Sequence, residues 1–132
     1  MTADLQIPRW LSLILKNGNT LLDGTDLTNI LSNIKDDGIE IVLLNCNLCS
    51  ITADAVDVLL RNWKGPWGVY PNVGAAMPTK EGVIEKKLTI KEFAKEINKY
   101  ITSGAKVIGA CCGSNPKYIR AAREAIDLLA DN

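Results

Sequence analysis

Histidine is absent from this chain of 132 residues. The side chain most often used for proton transfer near neutral pH is therefore missing, and any general base must be a carboxylate, lysine, tyrosine or thiolate. Any site for a borderline-soft metal must likewise lean on sulfur. Net charge is absent too, because 15 Lys and Arg balance 15 Asp and Glu. With no basic stripe, nucleic acid is not an expected partner, and no block of like charge points to a strongly charged surface. Long apolar runs are lacking. Trp10-Leu11-Ser12-Leu13-Ile14-Leu15 is too short to span a bilayer, and it follows Asp4 and Arg9 without the basic start of a secretory leader. No membrane association is expected. The expected location is the cytoplasm, where cysteines serve as thiols or metal ligands rather than disulfides.

What is present reads as strand then helix, four times over, in a single domain covering residues 1–132. The apolar run Ile7 to Leu15 predicts a first strand, followed by turn signals at Asn17-Gly18-Asn19 and Asp23-Gly24. Leu27, Ile30, Leu31 and Ile34 fall on one helical face, and Gly38 stops that helix. Ile39 to Asn45 predicts a second strand buried on both faces. Thr52 is the expected N-cap of a helix carrying Ala55, Val56, Leu59, Leu60 and Trp63. Trp67 to Pro71 predicts a third strand, and Ala75 to Leu88, with Met77-Pro78 and Gly82, a loop. Thr89-Ile90-Lys91-Glu92 has the spacing of a capping box, opening a helix with Phe93, Ile97, Tyr100 and Ile101 inward. Ala105 to Ala110 predicts the fourth strand. Asn115 and Pro116 then start a helix with Ile119, Ala122, Ile126 and Leu129 as its core stripe. Such an α/β order implies a parallel sheet with right-handed crossovers. Two architectures fit: four βα units of a (βα)8 barrel, or an open doubly wound sheet.

In both, function sits where strands end. Cys46 ends the second strand, and the pair Cys111-Cys112 ends the fourth, with Gly109 and Gly113 around it to let the backbone bend. Three thiols at one sheet edge suit a zinc ion with three protein ligands and one open position. A substrate thiol entering such a position loses its proton.

Three motifs carry a resemblance. Gly109-Ala110-Cys111-Cys112-Gly113-Ser114-Asn115-Pro116-Lys117-Tyr118-Ile119 resembles the glycine-cysteine-cysteine-glycine motif of the homocysteine S-methyltransferase family. Asn45-Cys46 resembles that family's asparagine-cysteine motif after barrel strand six. Tyr70-Pro71-Asn72-Val73-Gly74 is similar to its tyrosine-proline-asparagine-alanine-glycine motif after strand seven. The resemblance covers nearly the whole chain, as strands five to eight of a (βα)8 barrel. It implies Cys46, Cys111 and Cys112 as zinc ligands, with Asn72 and Asn45 beside the metal or substrate. It further implies homocysteine, or a similar small thiol, accepting a methyl group to give methionine. Leu43 and Ala110 stand where the family carries glycine. Strands one to four, whose acidic residues hold the homocysteine amino group, have no counterpart here, so activity is expected only once a second half-barrel completes the site.

Other readings of the cysteines exist. Cys46-Asn47-Leu48-Cys49 also has the spacing of a redox dithiol, and a zinc-binding half-barrel without catalytic activity has the same thiols. Four barrel strands would leave two unpaired edges and an open inner face, with Leu13, Leu15, Val42 and Ile108 expected on it. A homodimer or a separate N-terminal half-barrel is the expected partner.

Overall fold

The computed structural model describes residues 7–34, 38–76 and 78–130. A four-stranded sheet forms the centre, built from β1 (Arg9–Leu13), β4 (Ile39–Leu48), β5 (Trp67–Asn72) and β6 (Val107–Ile108). All its pairings are parallel, in the order β1-β4-β5-β6. The strands thus succeed one another in chain order, as in a barrel wall. A doubly wound sheet instead reverses its strand order part-way, so that alternative falls. Helices α1 (Leu27–Asn33), α2 (Cys49–Asn62) and α3 (Ile90–Thr102) supply the three crossovers, and α4 (Pro116–Ala130) follows β6. No helix among the described residues is long and apolar enough to cross a membrane.

The helices cover one face of the sheet. Leu13, Leu15, Val42, Leu44 and Val69 pack there with Leu27, Leu31, Ala55, Leu59, Phe93 and Ile97 in one core. Leu13, Leu15 and Val42 are therefore buried under helices, and Ile108 packs against the same core, so none of the four lies on the open face. Side chains alternate across a strand. The open face accordingly carries their neighbours, with Trp10 54% and Ile14 41% exposed. Ser12 and Tyr70 lie on that face too, and their hydroxyls meet at 2.6 Å across β4. The misplacement is one of phase: a strand apolar on both faces does not declare which set points to the helices.

Four local differences have clear causes. The first apolar run breaks at Ile14, and β2 (Leu15–Asn17) turns away to pair antiparallel with β3 (Thr20–Leu21) around the predicted Asn17-Gly18-Asn19 turn. α2 starts at Cys49, not after Thr52. Thr52 is buried inside the helix, and its hydroxyl donates to the Leu48 carbonyl at 3.0 Å. In α4 the buried face is Tyr118, Ala121, Ala122 and Ala125, while Ile119 is 47% exposed and Leu129 is exposed as well. Tyr118 explains this rotation: its ring meets Phe93 edge-on at 5.3 Å, and its hydroxyl donates to the Leu88 carbonyl at 2.6 Å. β6 is shorter than expected, although Lys106, Gly109 and Cys111 keep donating to Trp67, Val69 and Pro71 along β5. In the 75–88 connection, Met77 lies outside the described residues.

The capping box of α3 is formed on both sides. Glu92 N–H donates to the Thr89 hydroxyl at 3.2 Å, and Thr89 N–H donates to the Glu92 carboxylate at 2.8 Å. These bonds hold the Glu92 carboxyl below its usual pKa, the backbone bond from Thr89 contributing most. Loss of such a cap costs about 1 kcal/mol. Thr89→Ala should lower stability by that amount in urea unfolding, shifting the midpoint at an unchanged slope.

Candidate metal centre

Cys111 and Cys112 are held by the end of β5. Cys111 N–H donates to the Pro71 carbonyl at 2.9 Å, and Val73 N–H donates to the Cys112 carbonyl at 3.1 Å. Ser114 closes the turn beyond them, its hydroxyl donating to the Cys111 carbonyl at 2.6 Å. Gly113 has φ +77°, a left-handed conformation that favours glycine. Asn115 Oδ1 then accepts from Lys117 N–H at the start of α4.

Cys46 reaches the same place from β4. Its φ of +52° is the one positive value outside glycine among the described residues. The sulfurs of Cys46 and Cys112 lie 3.2 Å apart, those of Cys111 and Cys112 3.9 Å, and all three fall within 4.8 Å of one another. None is in a disulfide, and their exposure ranges from partial to open. The hydrogen bond with Cys46 is the main reason that the Cys112 thiol sits above its ordinary pKa, with burial second. Three converging sulfurs can hold one metal ion and leave a coordination position for a further group.

Homologues agree. The family model described as homocysteine S-methyltransferase matches residues 1–126. The chain belongs to this family. It is 30% identical over 128 residues to homocysteine S-methyltransferase 1 of Saccharomyces cerevisiae, covering 91% of this chain and 40% of that protein. It is 28% identical over 116 residues to a selenocysteine methyltransferase of Astragalus bisulcatus, covering 86% of this chain and 34% of that one. Among solved structures, the apo form of the homocysteine methyltransferase MmuM from Escherichia coli superposes with a TM-score of 0.73 at 25% identity, over 94% of this chain and 42% of that chain. A metallated form of MmuM shares the fold, with a TM-score of 0.69 at 24% identity. The chain thus spans less than half the length of these relatives.

The two asparagines occupy different surroundings. Asn72 is 1% exposed, and its Oδ1 accepts from Gly74 N–H at 2.8 Å, which shapes the turn leaving β5. Asn45 pairs in register with Tyr70, and its Oδ1 is buried with no hydrogen-bond partner. A third, Asn47, is fully buried and bonds to the backbone of Leu15, where β2 begins, and toward that of Leu13, where β1 ends. In the sequence it is one of two asparagines flanking Cys46, and nothing local sets it apart from Asn45.

Cys49 stands outside the cluster. It is the first residue of α2, buried, with its thiol donating to the Asn72 carbonyl at 3.7 Å. Burial first, and the charge of Glu96 second, push its pKa up to about 12. The structure gathers Cys46 with Cys111 and Cys112 rather than with Cys49, whose thiol bonds to the β5 backbone instead. With metal removed, a thiol reagent at pH 8 should modify three of the four cysteines quickly. Cys49 should lag until the protein unfolds, and peptide mapping of the labelled sites checks this.

Proposed function

We propose that this chain provides the zinc-binding half of a homocysteine S-methyltransferase barrel, with Cys46, Cys111 and Cys112 as ligands and Asn45 and Asn72 beside the site. The observation that carries the reading is the meeting of three free thiols from two strand ends. The fit is good. A tetrahedral ion with bonds of about 2.3 Å sets sulfurs roughly 3.8 Å apart, against 3.2 and 3.9 Å for two of the pairs here and no more than 4.8 Å for the third, so small shifts suffice. A zinc ion in such a site supplies a depressed pKa to a thiol substrate, which is how a chain without histidine obtains a thiolate at neutral pH.

The chain's own residues then have defined tasks. Cys111 and Cys112 stay in place through β5, and Asn45 offers an acceptor on the open side of the sheet. Homocysteine is the proposed thiol, supported by the family and by the substrate named for the yeast and E. coli relatives. Reduced cysteines are required, which fits the cytoplasm. Among the described residues the outer edges of β1 and β6 have no strand partner, and Trp10 and Ile14 face outward between them. Four more βα units, from a second copy or a separate N-terminal half, fit that opening and complete the substrate envelope.

Purified protein should carry one zinc per chain by elemental analysis, and Cys111→Ser/Cys112→Ser should carry almost none. Equal zinc in both removes the assignment. Zinc uptake should weaken as pH falls, because the thiols must lose protons to bind. Methyl transfer to homocysteine should be absent in the monomer and appear on assembly with a second copy or an added N-terminal half. Light scattering reports which assembly forms, and a stable, cooperatively unfolding monomer at micromolar concentration rules out the homodimer.

A further inference from the structure

Between Asn45, paired with Tyr70, and Leu48, paired with Asn72, β4 advances three residues while β5 advances two. The extra residue makes a bulge, and Cys46 in its left-handed conformation lies within it. Without the bulge, strict alternation would aim the Cys46 side chain into the helix-covered face beside Leu44. The bulge releases it toward Cys112. On its other side β4 pairs with β1 only as far as Leu44 with Leu13, and the chain passes from β1 to β2 at Leu15.

Asn47 reaches this junction. Its side chain is 1% exposed. Oδ1 accepts from Leu15 N–H at 2.7 Å, and Nδ2 donates toward the Leu13 carbonyl at 3.5 Å. A carboxamide carries the same donor and acceptor as a peptide group, so Asn47 stands in for a piece of β4 backbone. It thereby pins the residue following Cys46 to the chain where β1 passes into β2. Cysteine has no intrinsic preference for positive φ, and such conformations persist when their surroundings over-determine them.

We infer that Asn47 is a positioning residue, whose side-chain bridge to the β1–β2 junction holds the β4 bulge and so keeps Cys46 in the left-handed conformation that directs its sulfur to Cys111 and Cys112. The consequence for metal binding rests on the reading of the three thiols as ligands, and the test separates the two.

Cobalt titration of wild type and Asn47→Ala, followed by the thiolate-to-metal absorption and by zinc competition, reads the geometry directly. Groups that orient a metal ligand typically affect affinity roughly tenfold to a hundredfold when removed, and a loss of that size is expected. The absorption per cobalt should fall to that of Cys46→Ser. Leu59→Ala, a deletion in the buried core of α2, serves as the control: it should lower stability while leaving the absorption and the affinity of the folded protein unchanged. A folded Asn47→Ala with wild-type affinity and absorption overturns the inference. Should Asn47→Ala fail to fold, Asn47→Leu, close to asparagine in size but with neither donor nor acceptor, carries the same test. A second readout needs no metal. Diamide oxidation of metal-free protein should close Cys46 to Cys112 markedly more slowly in the variant. Equal rates defeat the inference, whereas a slower variant in a protein that takes no cobalt defeats only the metal reading.

Discussion

Two backbone hydrogen bonds at the end of β5, from Cys111 to Pro71 and from Val73 to Cys112, are the constraint on which the site depends. Adjacent cysteines in an extended chain point to opposite faces. To share one target they must sit where the strand has just ended and the chain is turning, yet be held as firmly as a strand. The parallel ladder with β5 delivers the chain to Cys111, and the return bond from Val73 clamps Cys112 past the point where regular pairing stops. Gly113 and Ser114 then turn the chain into α4. This part of the site is made of main-chain contacts, so it follows from strand pairing itself.

Cys46 is placed by a different device. Its strand overshoots the regular register by one residue, and its backbone adopts a conformation that costs about 1–3 kcal/mol for a residue other than glycine. Strain of this kind survives only if neighbouring contacts forbid relaxation. Here those contacts are the buried Asn47 on one side and the start of α2 on the other, where Thr52 and Tyr100 bond to the carbonyls of Leu48 and Cys49. The fold thus puts two sulfurs in place by regular structure and the third by a local exception to it.

That division explains what could be read from the amino acids. The βα order, the capping box at Thr89 and Glu92, and the strand ends at Cys46 and Cys111 follow from periodicity and punctuation, which are local. The convergence of the three thiols was legible for the same reason, because parallel strands end at one edge. The errors arose where tertiary contacts outvote local pattern. Ile119 and Leu129 have the spacing of a core stripe, but Tyr118 with the small residues Ala121, Ala122 and Ala125 packs closer to α3. Thr52 has a capping side chain, but it is consumed inside the helix by the Leu48 carbonyl. The facing of β1 was ambiguous because both of its sides are apolar, and the role of Asn47 was hidden because nothing local marks a bulge.

The open face gives the site its second character. Cys46, Cys111 and Cys112 are arranged by β4, β5 and the chain leaving β6, all inside this sheet. The ground beneath them is unfinished: Trp10 and Ile14 stand exposed, the Ser12–Tyr70 bond spans an uncovered strand, and the Asn45 acceptor lacks a donor. A buried acceptor without a partner costs about 1–3 kcal/mol, which is recovered when a donor arrives from a ligand or from a covering element. The arrangement of the three sulfurs is therefore set by what this sheet already contains, while the shape and polarity of the space above its open face are set by what closes over it.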